Sequence, residues 1–163
     1  MRNEWRIIED FPNYFVNPLA DVMNARNESL IRPSVVNSGV LSVVLFQGGI
    51  PHRRSLAKVV AETFVLKPTA WCNTPIHLDG ERGNCQARNL MWRPRHIAIR
   101  YHRQVETFPT LQNPKPIINL DTGEIFPTIQ HVAVRYGLIV NELVDCIIRG
   151  RPTWPDKLRF DFT

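Results

Sequence analysis

Thr74-Pro75-Ile76-His77-Leu78-Asp79-Gly80-Glu81-Arg82-Gly83-Asn84-Cys85-Gln86-Ala87-Arg88-Asn89-Leu90-Met91-Trp92 organises the reading of everything around it. His77 stands just ahead of an Asp79-Gly80 turn, Asn89-Leu90 follows further on, and Trp92 leads into a run rich in arginine. Asp-Gly is turn chemistry, because the aspartate can bond its own backbone and the glycine accepts φ > 0. If the residues before the turn are extended, His77 and Asp79 fall on the same side. Pro94 suits a first helical turn, where its missing N–H has no partner to lose, and so predicts a helix from there to about Gln104. On that helix Ile97, Ala98 and Tyr101 make an apolar stripe. His102 lies at the stripe's edge, one turn beyond Ala98, and His96 points away.

Arg82, Arg88, Arg93, Arg95, Arg100 and Arg103 fall within 22 residues that contain no acid. A solvated helix face usually mixes both signs, so an all-arginine run joined by His96 and His102 reads as a set of phosphate contacts.

Outward from this centre, Phe108-Pro109 and Asn113-Pro114-Lys115-Pro116 predict a linker over 109–116, dividing the chain into 1–108 and 117–163. Upstream, Phe15, Val16, Asp21 and Val22, then Val40 to Phe46, have the content of short strands, separated by Pro18 and by Asn37-Ser38-Gly39. Gln47-Gly48-Gly49 turns the chain. Ser55 can cap a helix to about Phe64, with Leu56, Val59, Val60 and Thr63 on one face. Downstream, Lys115 to Leu120 and Ile125-Phe126 flank Asp121-Thr122-Gly123-Glu124 as a small hairpin. Two short helices follow, the first capped by Thr128 and ended by Gly137, the second capped by Asn141 and ended by Gly150. That spacing is of helix-turn-helix type.

With 163 residues and 44% apolar content the chain can bury a core, and 20 Lys and Arg against 15 Asp and Glu give a formal charge of +5. The charge favours a polyanionic partner. No stretch has signal-peptide character or membrane-spanning length, so the expectation is a cytoplasmic protein with no membrane partner. Cys72, Cys85 and Cys146 are odd in number and form no Cys-x-x-Cys pair, which argues for free thiols over a disulfide framework. A mixed zinc site drawn from Cys72, His77, Cys85 and His96 matches no common ligand spacing. Trp5, Trp92 and Trp154 are expected in the core.

The quoted segment resembles the HNH module of phage and intron-encoded homing endonucleases, strongly over roughly 74–104. Glu4 to Ile8, Tyr14 to Asn17 and Asp21 to Asn24 look like the nuclease-associated modular segment that precedes HNH domains in that family, with Ala20 where the family usually has a turn glycine. Residues 115–162 are similar to its closing helix-turn-helix module, with a final aromatic strand around Trp154 and Phe160. The resemblance implies an α+β fold: small N-terminal strands and a helix joined to a ββα-metal module, then the linker, hairpin and helix pair. It also implies that His77 is the general base and that Asn89 is the central asparagine whose side chain ties down the loop. The family's metal ligands would fall at Ile76 and Ala98. Hydrocarbon cannot ligate Mg²⁺, so no metal ligand is expected at either position.

The first functional expectation is therefore a protein that binds double-stranded DNA through Arg82, Arg88, Arg93, Arg95, Arg100, His102, Arg103, Asn141 and Arg149, without a cofactor and without cutting. The helix from Asn141 to Arg149 would enter the major groove, exposing Asn141, Glu142, Asp145 and Arg149. The alternative is a Mg²⁺- or Mn²⁺-dependent nicking endonuclease with His77 as base and Asp79 or His102 as substitute ligand. A third reading is a phage accessory factor that docks on another protein. Oligomeric state is not legible.

Overall fold

The computed structural model describes residues 4–163, and its backbone divides into two compact units. The first holds the described residues through His77 together with Glu81–Arg93, the second Leu78–Gly80 with Pro94–Thr163. Four α-helices and four small antiparallel sheets make up the regular structure among the described residues, a mixed α/β fold.

The first unit opens with β1 (Arg6–Ile8), β2 (Phe11–Val16), β3 (Val22–Asn24) and β4 (Leu30–Ile31), which form a sheet in that spatial order. Phe11, Tyr14 and Val16 of β2 are buried with Ile8 and Val22. Between β2 and β3 the chain turns on Asn17, whose side chain is fully buried. Its Oδ1 accepts from the N–H groups of Leu19 and Asp21, and its Nδ2 donates to Asp21 Oδ2. Burying the amide is tolerable because every polar arm has a partner. Ala20, in this turn, is held at φ 71°, a region that favours glycine.

β5 (Ser34–Val35), β6 (Leu41–Gln47) and β7 (Ile50–Ser55) form a second sheet in the order β5-β6-β7. Gly48 and Gly49, both at positive φ, close the β6–β7 hairpin, the pairing expected of a two-residue turn. Its return strand, polar and carrying Pro51, is not marked in the sequence as a strand. Ser55 caps α1 (Leu56–Phe64) by accepting from Lys58 N–H, and Leu56, Ala57, Val59, Val60 and Ala61 are buried. Each large aliphatic group so buried contributes about 1.5–3 kcal/mol. The unit ends with β8 (Thr74–His77) paired antiparallel to β9 (Leu90–Arg93). Trp92 seats that hairpin in the core, its indole donating to Val65 O.

The second unit begins with α2 (Arg95–Glu106); Pro94 sits at its N-cap rather than inside its first turn. Tyr101 donates to Leu78 O at 2.7 Å, tying α2 to the turn that follows β8. β10 (Ile117–Asn119) is flanked by β11 (Ile125–Phe126) and by the C-terminal β12 (Phe160–Phe162). α3 (Ile129–Tyr136) and α4 (Val140–Arg149) lie between β11 and β12 along the chain. Ile117, Phe126, Val132, Leu138, Leu143 and Phe160 form this unit's core. Thr128 caps α3, and Gly137 and Gly150 end α3 and α4 in left-handed conformation.

Two expectations are corrected here. Asn141 does not cap α4: the N–H of Val140 donates to Gln104 Oε1 at 2.7 Å, while Gln104 Nε2 donates to Leu138 O. A glutamine on α2 thus supplies what a local cap would have supplied. Trp154 is not a core residue, being 49% exposed, and Trp5 is half-buried. Residues 109–116 fall within the second compact unit, in which Gln104 of α2 bonds to Leu138 and Val140 at the α3–α4 turn.

Candidate functional site

The β8–β9 hairpin sets Ile76 opposite Met91 and His77 opposite Leu90. Strand alternation then sends the two side chains to opposite faces. Ile76 is fully buried and His77 is 5% exposed. Between the strands, Asn89 is buried and its Nδ2 donates to Asn84 O at 2.9 Å, fastening the loop backbone. Ala87 N–H donates to Pro18 O, which joins this loop to the turn organised by Asn17.

One contact was not read from the sequence. Cys85 Sγ lies 3.7 Å from His77 Nε2 and also faces Arg82 O at 3.6 Å. Burial pushes the Cys85 thiol up to about 11, against a smaller opposing effect of a hydrogen bond from the Ala57 backbone. The imidazole therefore faces a neutral thiol at physiological pH. The partner of a loop cysteine eight residues beyond a strand histidine depends on how the loop closes, and no local pattern encodes that. Of the residues weighed for a mixed zinc site, this contact brings together His77 and Cys85; Cys72 is buried in the same core and His96 is exposed on α2.

In the second unit Asp79 is exposed in the turn after β8, and Gly80 at φ +78° packs beside Val105. Ala98 is 2% exposed and Tyr101 is fully buried on the inner face of α2. His102 is half-buried, with its ring edge-on to that of Tyr101. Arg95, His96, Arg100 and Arg103 are exposed on the outer face. Among the described residues, no three His, Cys, Asp or Glu side chains come together so as to hold a metal ion.

The expected phosphate contacts separate into groups. Arg88, Arg95 and Arg103 are exposed and Arg82 is half-buried. Arg93 is 1% exposed, with its Nη1 donating to Trp92 O at 2.8 Å. A guanidinium held inside the hairpin cannot double as a surface contact, so Arg93 leaves the set. Arg100 is paired with Glu142, and Arg149 with Asp145 at 2.6 Å; Asn141 is exposed. Arg151, which the sequence reading did not single out, also binds Asp145. Arg53 and Arg54 on β7 are further exposed cations that it passed over.

An antiparallel hairpin, a loop fastened by a buried asparagine and a following helix are the parts of an HNH-like fold. The chain is similar to a solved structure described as "DNA binding and cleavage by the HNH homing endonuclease I-HmuI", with a TM-score of 0.53 and 20% identity over 98% of each chain. No family model matches the chain, and no curated protein matches it. The likeness extends nearly end to end and shows the fold.

Proposed function

We propose that this chain binds double-stranded DNA on an HNH-type scaffold and has lost the metal-dependent cleavage that the scaffold supports elsewhere. The observation that carries this is the chemistry at Ile76 and Ala98. Both positions where the resemblance would place metal ligands hold buried hydrocarbon. Mg²⁺ takes oxygen donors in octahedral geometry, and the donor set present does not fit it. The same scaffold in I-HmuI is described as binding and cleaving DNA. A basic chain with exposed arginines on α2 fits the binding half of that description.

In this reading residues 1–108 form the HNH-like module with its N-terminal DNA segment, 109–116 connect, and 117–163 form a helix-turn-helix-like module. Arg88, Arg95 and Arg103 contact phosphates, while Asn141 lies on the helix that faces the groove. His77 is a hairpin histidine held against Cys85.

A second reading is favoured by the intact hairpin, since His77 is present and Asn89 fastens the loop. It is a Mg²⁺- or Mn²⁺-dependent nicking endonuclease with His77 as general base. Supercoiled plasmid incubated with the purified chain separates the two. We expect no relaxed circles with either metal, alongside retarded migration of duplex DNA. Relaxation that needs metal, stops with chelator and disappears in His77→Ala would overturn the proposal in favour of the enzyme.

A further inference from the structure

α4 has two faces of different chemistry. Leu143 and Ile147 pack into the core of the second unit. Opposite them Asn141, Val144, Asp145 and Ile148 fall at i, i+3, i+4 and i+7, one continuous stripe along the helix. Ile148 is 73% exposed. A lone exposed isoleucine is ordinary on a protein surface, so its position carries the weight.

That position is bordered by charge which is already matched. Glu142 is held by Arg100, and Asp145 accepts from both Arg149 and Arg151. These three arginines outnumber the two acids, and Arg103 lines one cavity with Arg100 and Asn141, so the border admits a polyanion. Within the border the stripe offers one carboxamide and two aliphatic groups.

The major groove distinguishes bases by chemistry that can be compared with this inventory. Guanine is read by a cation aimed at O6 and N7, and no member of the stripe is a cation. The cytosine amine needs a free carboxylate, and Asp145 is already engaged twice. Adenine N6 and N7 suit the Asn141 amide, and the thymine C5-methyl suits an aliphatic side chain. From Asn141 to Ile148 the helix rises about 10.5 Å at ~1.5 Å per residue, which spans about three base pairs.

We infer that α4 reads a short A·T run in the major groove, with Asn141 on adenine and Ile148 packed on a thymine methyl. The inference rests on the duplex-binding reading above. It makes Ile148 a specificity-determining residue.

The test begins with the full chain and a duplex library randomised at its centre. The bound fraction is expected to be enriched in an A·T run. The enriched duplex is then compared with the same duplex carrying deoxyuridine for thymidine, which deletes only the methyl groups. The wild-type chain should bind the uridine duplex about fourfold more weakly for each methyl contacted. Ile148→Ala, a change at an exposed position, should bind both duplexes alike. Enrichment of G·C in place of A·T would overturn the inference. So would a thymidine preference that survives in Ile148→Ala, or enrichment of A·T with no loss on deleting the methyls. Absence of binding to every duplex in the library would instead overturn the duplex-binding reading, and this inference with it.

Discussion

If the chain binds duplex DNA as proposed, the salt dependence of that binding follows from which arginines are exposed. With Arg93 buried, Arg82 half-buried, and Arg100 and Arg149 paired to acids, Arg88, Arg95 and Arg103 are the exposed arginines left of those expected to meet phosphates. Each phosphate neutralised contributes about −0.9 to the slope of log K against log salt, so three contacts give about −2.7. Raising salt from about 50 to about 200 mM should then weaken binding about 40-fold. Arg95→Ala combined with Arg103→Ala removes two contacts from exposed positions, reducing the slope to about −0.9 and the loss to about 3.5-fold. Arg100→Ala should change the slope little, since its guanidinium already offsets Glu142. Fluorescence anisotropy of a labelled duplex, titrated at several salt concentrations, reads these slopes directly. An unchanged slope in the double variant would refute the placement of the contacts on α2. A wild-type slope large enough for every arginine in the run would refute the subtraction of the paired and buried ones.

Three further outcomes concern the fold that carries this surface. Ala20 is held at φ 71°, so Ala20→Gly should raise stability by roughly 1 kcal/mol, read as a higher urea midpoint at unchanged slope. Gly80 sits at φ +78°, and a Cβ added there would lie 2.6 Å from Val105 Cγ1. Gly80→Ala should therefore cost about 2–4 kcal/mol from backbone strain and overpacking together, with Val105→Ala recovering part of it in a double-mutant cycle. Cys85 is raised by burial from an ordinary 9.0 to about 11. Between those values the unfolded thiol loses its proton while the folded one keeps it, so the unfolded state binds fewer protons and stability falls as pH rises. The loss should be on the order of 2–3 kcal/mol across that window, nearly absent below it, and Cys85→Ala should remove this component from denaturation curves taken at stepped pH.

What the sequence made legible was chemistry that acts over one or two turns of chain. Ser55, Thr128, Gly137 and Gly150 do as helix caps what their side chains, or lack of one, equip them to do. Asn141 shows the limit of that logic. It is a good capping residue next to a helix start, yet Gln104 reaches Val140 N–H from elsewhere in the unit and the helix begins one residue earlier. Strand β7 was hidden because Pro51, Arg53 and Arg54 face solvent and give no apolar alternation. The Gly48-Gly49 turn was the available clue, since a two-residue turn requires a returning strand. Arg93 was misplaced for a related reason. Its neighbours in sequence are exposed arginines of α2, but it ends β9, where both faces of the strand are covered and Trp92 and Arg93 are each 1% exposed. His77 and Asn89 were legible as a pair through the resemblance, whereas the thiol beside the imidazole was not.

The arginines also bear on how tightly the chain would hold DNA under the proposed function. Counted along the sequence, they promise a strongly cationic surface; counted in space, Arg100, Arg149 and Arg151 are matched to Glu142 and Asp145. Exposed ion pairs of this kind are individually weak, about 0–1 kcal/mol, so phosphates could draw the guanidinium groups away. Doing so would leave two carboxylates facing the same phosphates, and the gain from each new contact would be largely returned as repulsion. The pairs are therefore better suited to offsetting the two acids of α4 than to adding affinity. In the proposed duplex-binding reading, affinity falls to Arg88 and the exposed arginines of α2, and discrimination falls to Asn141 and Ile148. Arg95→Ala with Arg103→Ala should consequently weaken binding to all duplexes by a similar factor, and Ile148→Ala should weaken it only where a thymine methyl is met.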